Sequence, residues 1–390
     1  MQKITFVIPS RNNLEFLQLA YKSIKNLKTQ HCILILDDAS TDGTSEWINS
    51  LADPNIIHYQ NPGPERTGIV GMFDKGIEMS DTEIIFAFHA DMIAGPNLDE
   101  NILKHLKPGT VVCATRIEPP LHPPGPEKII QNWGNEVNEI NFNNIINAIG
   151  HFELKNKDKI TEGIFAPWCM YKSDYLAIGG HDELFAPQSK EDSDLFNRFM
   201  LKGYELIQSW DGLVYHFTSR GSRFNKHAGG NINENSLEWQ YTNIKNTRNF
   251  IRKWGHFVKH DVLMKPIISP KYNIAFILKN GEIPLMKALE PWCDRIYTDC
   301  YFLDYINEEQ LNTKFDLKKR VLTIEENDPF SENDIIIEID KYSFNQQDYT
   351  TIQQLSEIIK DSGEIGMFQI GNLKITINNL TEYQDNLIYL

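Results

Sequence analysis

The sequence has 390 residues, and its 38 Lys and Arg against 53 Asp and Glu give a formal net charge of −15 at pH 7. At about 100 to 200 residues per domain, this length predicts two domains. The hydrophobic share of 41% suffices for sizeable cores and excludes a disordered, collagen-like or coiled-coil chain. Since no basic block relieves the acidity, the charge argues against binding nucleic acid or an anionic membrane.

The cysteines and the N-terminus indicate the compartment. The five cysteines are widely spaced without a CxxC pair, which argues against a disulfide framework or a structural zinc site and predicts a reduced, cytoplasmic protein. The first residues lack the apolar region of a signal peptide. No apolar run approaches the roughly 18 residues of a transmembrane helix, so we expect no integral membrane segment.

Short apolar runs alternate with helical patterns from the N-terminus onward. In chain order we predict strand 3–9, helix 14–27, strand 31–37, helix 44–51, strand 56–59, helix 68–79 and strand 83–88. This alternation predicts a doubly wound, mostly parallel α/β sheet. Because such sheets bind ligands beyond the carboxyl ends of their strands, the candidate site segments are 9–12, 37–42 and 89–91.

The rest of the chain predicts a second domain. Residues 118–128 contain five prolines and are expected to be irregular. Further predicted elements are helix 192–202, a strand ending near 216, a Gly/Asn/Ser-rich loop at 219–236 and helix 237–255. We predict a first domain at 1–259, a linker at 260–272 with two prolines, and a smaller Rossmann-like α/β domain at 273–390, in which no candidate site is apparent.

Two of four polar segments follow predicted strands of the first sheet. The segment DDASTDGT at 37–44 offers two adjacent carboxylates for a base or ribose, although a helix cap is an equally good explanation. The segment FHAD at 88–91 ends the strongest strand, and its carboxylate is suited to a divalent cation beside a diphosphate. Alone, this second segment is more simply explained by a capping Asp.

The other two segments lie further along the chain. In KEDSDLFNRF at 190–199, two adjacent carboxyl groups begin a helix, where one of them has the surroundings of a general base. In LVYHFTSRGSR at 213–223, His216 is a candidate metal ligand, and Arg220 and Arg223 are suited to phosphate oxygens. A helix-start preference for acidic residues and a structural histidine are the simpler alternatives.

The order of these segments resembles the family 2 glycosyltransferases of GT-A fold, over about residues 1–255. PSRNN follows the first strand, DDASTDGT the second, and then come Arg66, Asp91 and the Glu191–Asp192 pair at family-like spacing. The segment GIFAPWCMYKSDYLAIGGHDELFAPQSKEDSDLFNR at 163–198 resembles the acceptor side of that family. The resemblance implies an inverting transfer of a sugar from a nucleotide-diphosphate donor, UDP- or GDP-linked, to a hydroxyl of a glycan or another acceptor.

The resemblance also implies a role for individual residues. The residues implied to bind the nucleotide-sugar are Pro9, Arg11, Asp38, Arg66, His89, Ala90 and Asp91. Asp91 and His216 are implied to bind Mn²⁺ or Mg²⁺. Asp192 is implied to be the catalytic base, with Glu191 beside it as a further catalytic and acceptor-contacting residue and Trp168 as a wall of the acceptor site.

One departure from the family leaves alternatives open. The family usually has Asp-x-Asp where this chain has His89-Ala90-Asp91, so one negative charge beside the diphosphate is lost. A non-catalytic module that binds a nucleotide-sugar is therefore one alternative. A nucleotidyltransferase is a second, but such enzymes normally have a Gly-rich loop after the first strand, where this chain has PSRNN.

Overall fold

The computed structural model describes residues 2–220, 223–324 and 332–390, which fold into two compact units. The first unit comprises Met1–Asn243, His260–Pro266 and Tyr389–Leu390, and the second comprises Ile244–Lys259 and Ile267–Ile388. The predicted domain limits and the linker at 260–272 stay a prediction.

A mixed sheet of ten strands forms the centre of the first unit, with the main order β3-β2-β1-β4-β9-β6-β10-β5. The strands are β1 Ile4–Ser10, β2 Cys32–Asp38, β3 Ile56–Asn61, β4 Ile84–Ala87, β5 Met92–Ala94, β6 Thr110–Glu118, β7 Lys128–Ile130, β8 Ile160–Thr161, β9 Trp168–Tyr171 and β10 Glu205–His216. Strands β3, β2, β1 and β4 are mutually parallel, as are β6 and β10, whereas β5 and β9 run antiparallel to their neighbours.

Helices connect these strands. They are α1 Leu14–Lys25, α2 Thr44–Ser50, α3 Gly68–Met79, α4 Leu98–Leu103, α5 Phe142–Lys155, α6 Lys172–Leu176 and α7 Glu191–Leu201, followed by α8 Leu237–Trp254, whose residues belong partly to each unit. Short 3₁₀ turns lie at Val137–Glu139, Glu183–Phe185 and Lys226–Ala228. None of the helices among the described residues has the length and apolar character needed to cross a membrane.

Near-continuous apolar strands explain why this sheet is covered on both faces. Phe6, Ile33 and Phe86 are buried in one cluster of the core together with Leu17 and Ile24 of α1. The alternate residues Val7 and Leu34 are also buried, beside Gly76 of α3. Strands buried on both faces belong to parallel sheets with helices on each side. The strand–helix alternation predicted from the sequence is therefore confirmed.

The second unit has its own sheet of six strands, in the order β13-β12-β11-β14-β16-β15. Its strands are β11 Ile274–Lys279, β12 Arg295–Thr298, β13 Val321–Thr323, β14 Ile335–Asp340, β15 Gly366–Ile370 and β16 Leu373–Ile377. Its further helices are α9 Ile283–Leu289, α10 Leu303–Glu309, α11 Leu317–Arg320, α12 Gln346–Gln353 and α13 Leu355–Ser362, with 3₁₀ turns at Glu290–Trp292, Gln310–Asn312 and Gln384–Leu387. The second, smaller α/β sheet is confirmed.

Candidate active site

The carboxyl ends of β1, β2 and β4 lie side by side, and this brings the predicted site segments together. Ser10 pairs in register with Asp37, and Val7 pairs with Ala87. The loops that follow β1 and β2 also contact each other, because the backbone N–H of Asn12 donates to the hydroxyl of Ser40 at 2.9 Å. Strand β1 has β2 on one side and β4 on the other, so this edge is the switch point where open α/β sheets bind ligands.

A group of three potential metal ligands lies at this edge. His89, Asp91 and His216 each offer one ligand atom, and these atoms all lie within 4.8 Å of one another. Ligands on opposite sides of a small divalent cation at about 2.1 Å are about 4 Å apart, so small shifts would let all three reach one ion. The structure therefore brings His89 into the group that was predicted to contain only Asp91 and His216.

Strand pairing explains how residues far apart in sequence meet here. Strand β5 runs antiparallel to β10 with Met92 opposite His216, and the backbone N–H of Phe217 donates to the Asp91 carbonyl at 3.0 Å. The Arg220 backbone N–H donates to Oδ2 of Asp91 at 3.0 Å. Oδ1 of Asp91 faces Nε2 of His216 at 3.5 Å.

The electrostatics of the group favour a cation. Burial would raise the pKa of Asp91, but His216, His89 and the Arg220 N–H hold it well below its usual range, so this group is a carboxylate. Burial lowers the pKa of His89 despite the Asp91 carboxylate, which keeps that ring neutral and able to bind a metal. Burial opposes protonation of His216, but the carboxylates of Asp91 and Glu118 outweigh it and raise its pKa.

The predicted catalytic pair begins α7. Glu191 is buried, and burial together with the Asp192 carboxylate raises the pKa of Glu191 to about 8. Asp192 is only half-buried, and its charge acts on the His89 ring, so it belongs to the same electrostatic environment as the metal group. The arrangement offers one accessible carboxylate beside one carboxylic acid that stays protonated near neutral pH.

The predicted nucleotide residues form a second cluster. Burial lowers the pKa of Arg66, whose guanidinium pairs with Glu238 at 2.5 Å and interacts electrostatically with Arg11 and Asp38. Among the described residues, Nε of Arg11 and Oγ of Ser10 are buried without a hydrogen-bond partner. Such orphaned donors at the end of β1 are suited to phosphate or ribose oxygens.

Asp38 stabilises the start of α3. Its two carboxylate oxygens accept the backbone N–H groups of Thr67 at 2.8 Å and Gly68 at 2.7 Å, where α3 begins, and the side-chain amide of Asn61 at 2.8 Å. A carboxylate in this place satisfies N–H groups that a helix start leaves open. Contact of Asp38 with a base stays a prediction.

Three other predicted residues occupy different surroundings. Trp168 is 1% exposed and stacks on Tyr175, so its ring belongs to the core. Its predicted acceptor contact stays a prediction. Pro9 lies half-buried in β1 opposite Leu36, and Ala90 is buried between His89 and Asp91.

The arginines of the fourth segment contact protein groups. The Arg220 side chain is buried and donates to the backbone carbonyl of Asn135, and Nε of Arg223 donates to the side chain of Asn235 at 3.0 Å. Their predicted phosphate contacts stay predictions. Gly221 and Ser222, also in the predicted loop, lie outside the described residues.

Backbone strain marks two of these loops. Ser189 and Lys190, directly before α7, have φ values of 76° and 73°, and Thr218 and Ser219, after β10, have 61° and 62°. Consecutive non-glycine residues in the left-handed region cost of order 1–3 kcal/mol each and cluster at functional sites. The strained loops adjoin the predicted catalytic pair, Glu191 and Asp192, and His216, respectively.

Two features of the site go beyond what the sequence predicts. The sequence predicts that His89 binds the donor, and in the structure its ring also lies within reach of a metal ion shared with Asp91 and His216. The sequence places Glu118 at the start of an irregular segment, whereas this residue ends β6 and hydrogen-bonds His216. A histidine two residues from a carboxylate is a signal that the sequence already contained, but the contact of Glu118 spans 98 residues and leaves no local pattern.

Comparison with known proteins finds a family match for the first part of the chain. Residues 5–176 match the family model described as "Glycosyl transferase family 2". The family resemblance of the motifs is thereby confirmed, and with it the prediction of a glycosyltransferase domain. An undecaprenyl-phosphate mannosyltransferase of Micrococcus luteus is 24% identical over 121 residues, which are 30% of this chain and 49% of the relative. The match thus spans about half the length of that relative.

Two solved structures are similar in part. One is the crystal structure of GalNAc-T7 with UDP, GalNAc and Mn²⁺, with a TM-score of 0.43 and 12% identity over 55% of this chain and 44% of the other. The second is the mannosyltransferase PcManGT of Pyrobaculum calidifontis in complex with GDP-Man and Mn²⁺. Its TM-score is 0.42, with 17% identity over 63% of this chain and 62% of the other.

Proposed function

We propose, from the glycosyl transferase family 2 match of residues 5–176, that the first unit moves a sugar from a nucleotide-diphosphate donor to an acceptor hydroxyl, with inversion and metal assistance. The observation that supports this proposal best is the group of His89, Asp91 and His216 at the carboxyl edge of the sheet, electrostatically coupled to Asp192.

The donor set is suited to a divalent metal. Two imidazoles and one carboxylate converge, and Asp91 is ionised while His89 is neutral, so both are in the form that ligates. Imidazole ligands favour transition-metal ions, whereas Mg²⁺ prefers oxygen. We therefore propose Mn²⁺ in preference to Mg²⁺.

In the proposed mechanism, His89, Asp91 and His216 would hold the ion, which would supply Lewis-acid stabilisation of the charge on the departing diphosphate. Asp192 accepts the proton of the acceptor hydroxyl while that oxygen bonds to the anomeric carbon from the opposite face. The bond between this carbon and the diphosphate oxygen breaks, and its electron pair leaves with the diphosphate. One base suffices for this inversion, and no covalent intermediate is needed.

Glu191 complements this base. Because its pKa is raised to about 8, Glu191 stays protonated at neutral pH and can donate a hydrogen bond to the acceptor. The pair then has one acid and one base in adjacent positions, which is the pattern that distinct environments impose on neighbouring carboxyl groups. Arg11 and Arg66 are proposed to bind the diphosphate or the base side of the donor.

The test uses the full chain with a panel of UDP- and GDP-linked sugars, including GDP-mannose because the Micrococcus luteus relative is a mannosyltransferase. We expect one donor to raise the melting temperature only with Mn²⁺, and to release a nucleoside diphosphate with an acceptor present. Asp91→Asn should abolish the metal-dependent stabilisation. Asp192→Asn should retain it but lose transfer by at least about a hundredfold.

The same experiment separates the alternatives. Binding without turnover in the wild type would favour the non-catalytic module, and release of pyrophosphate would favour a nucleotidyltransferase. A product with the donor's anomeric configuration, read by NMR, would contradict inversion. Full transfer rates in both variants would contradict the assigned roles of Asp91 and Asp192.

A further inference from the structure

A buried carboxylate lies directly behind His216. Oε1 of Glu118 is 2.7 Å from Nδ1 of that ring, while the other ring nitrogen, Nε2, faces Asp91. Glu118 and His216 are 1% and 6% exposed. The imidazole therefore has one nitrogen held by a protein group and one nitrogen directed at the proposed metal site.

The sheet fixes this contact. Strands β6 and β10 are parallel, with Ile117 opposite Tyr215, so Glu118 and His216 are the next residues at the same edge. Both belong to the ends of long strands rather than to loops, which limits how far either side chain can move.

Glu118 is itself held in place by two cations. Nε of Arg116 lies 3.1 Å from Oε1, and Nζ of Lys128 lies 3.2 Å from Oε2. Both cations also pair with Glu127, at 3.3 and 3.4 Å. All four side chains are at most 10% exposed. Glu118 contacts His216, whereas no hydrogen bond or ion pair joins Glu127 to that ring among the described residues.

We propose that Glu118 is a positioning residue for the metal site: it accepts the Nδ1–H of His216 and so keeps the Nε2 lone pair directed at the cation. This inference depends on the metal site of the proposed function. The principle is general, because a metal-binding histidine whose second N–H is held by a carboxylate has a fixed tautomer, a fixed ring orientation and a more basic ligand atom.

If Glu118 holds His216 in this way, its removal should weaken metal binding. Removal of such a partner typically weakens metal binding by about 10- to 100-fold. Glu118→Gln keeps the size of the side chain but removes its charge, and its amide can turn so that its NH₂ opposes the Nδ1–H. The neutral His216 ring can then have its proton on Nε2, the nitrogen that is proposed to bind the metal.

The experiment measures the affinity of the full chain for MnCl₂ alone, by the loss of the electron paramagnetic resonance signal of free Mn²⁺. Glu118→Gln should raise the dissociation constant by about 10- to 100-fold. Glu127→Gln is the matched control, because it removes one charge from the same cluster without touching His216, and it should stay within threefold of the wild type.

The Mn²⁺ measurements distinguish a failure of the proposed role of Glu118 from a failure of the proposed function. If the wild type binds Mn²⁺ and Glu118→Gln binds it equally well, this inference is wrong and the proposed function stands. If the wild type binds no Mn²⁺, both are wrong. An equal loss in Glu118→Gln and Glu127→Gln would also overturn the inference, because the effect would then belong to the charge cluster.

A second measurement needs no variant and is independent of whether Glu118→Gln folds. Long-range ¹H–¹⁵N correlations of the wild type, with diamagnetic Zn²⁺ in place of Mn²⁺, report the tautomer of His216. Protonation at Nδ1 is expected, and protonation at Nε2 would overturn the inference.

Discussion

Glu191 links the chemistry of the site to the stability of the chain. Its pKa is raised to about 8 by burial and by Asp192. An unfolded glutamate loses its proton near pH 4, so between about pH 4 and pH 8 the folded chain binds more protons than the unfolded chain. The stabilisation from this group is therefore complete below about pH 4 and is lost as the pH rises toward 8.

Glu191→Gln should remove this dependence. We expect the variant to gain stability relative to the wild type as the pH rises from 5 to 8, by up to about 1.4 kcal/mol per pH unit. Urea unfolding of the metal-free proteins at several pH values measures the difference. A constant difference across this range would contradict the raised pKa. Glu183→Gln, at an exposed position, is the control and should show no such trend.

His89 should decide which metal the site prefers. Since imidazole favours transition metals and carboxylate favours Mg²⁺, His89→Asp should lower the preference for Mn²⁺ over Mg²⁺ several-fold. Titration of both ions into the wild type and the variant measures this ratio. His151→Asp, on the exposed side of α5, should leave the ratio unchanged. An unchanged ratio in His89→Asp would exclude this ring from the coordination shell.

Among the elements, α3 depends on a close approach to the sheet. A Cβ on Gly76 would lie 2.4 Å from Val7 and 2.8 Å from Leu36, so the helix has no room for a side chain there. Gly76→Ala should destabilise the chain by about 1–3 kcal/mol, because overpacking outweighs the better helix propensity of alanine.

Gly150, in the middle of α5, provides the contrast. A Cβ there would meet only Pro96, at an ordinary 3.5 Å. Gly150→Ala should therefore stabilise the chain by about 0.5–1 kcal/mol through helix propensity. Urea unfolding of both variants tests the pair. If Gly76→Ala stabilised the chain as Gly150→Ala is expected to, the close packing of α3 on the sheet would be contradicted.

The elements also explain which parts of the fold the sequence predicts. Helix α3 has the predicted bounds, 68–79, because a long amphipathic pattern ends at clear signals. Strands β5 and β9, with three and four residues, were missing from the prediction, since so short a strand is defined by its partner rather than by its own pattern. The ring of the β9 residue Trp168 is buried in the core, and its predicted contact with the acceptor stays a prediction.

In the candidate site, too, features with a local sequence pattern can be predicted and features that depend on a distant strand cannot. The positions of Asp38, Asp91 and Asp192 could be predicted because Asp38 ends β2, Asp91 follows β4 and Asp192 lies at the start of α7. The pairing of β6 with β10, and with it the contact of Glu118, depends on tertiary structure, and no local pattern reports it.

At the scale of the whole molecule, the charge is distributed unevenly over the chain. Residues 256–390 have a net charge of −9, against −6 for residues 1–255. The acidity therefore does not oppose an anionic donor at the first unit, where Asp91 is proposed to hold a cation and Arg11 and Arg66 to face the nucleotide. We propose that the second unit contributes to acceptor recognition or to oligomerisation rather than to this chemistry.

A buried ionic cluster in the second unit allows a test of whether this unit contributes to the chemistry of the first unit. Glu290 is fully buried and bonds Arg252 at 2.7 Å, Arg320 at 2.8 Å and the Tyr305 hydroxyl at 2.8 Å. Burial would raise its pKa, but the two arginines lower it to about 2. Glu290→Gln leaves the buried guanidinium of Arg320 without its carboxylate partner and takes one of two carboxylates from Arg252, which still pairs with Glu309, and should cost about 3–5 kcal/mol of stability.

The matched control is Glu338→Gln, which breaks a more exposed pair with Lys279 in the same sheet and should cost less than about 1 kcal/mol. Urea unfolding measures both losses. Since the three proposed cation ligands belong to the first unit, the Mn²⁺ dissociation constant of folded Glu290→Gln should stay within twofold of the wild type. A parallel loss of metal affinity would mean that the second unit helps to form the site, and the division of roles would have to be given up.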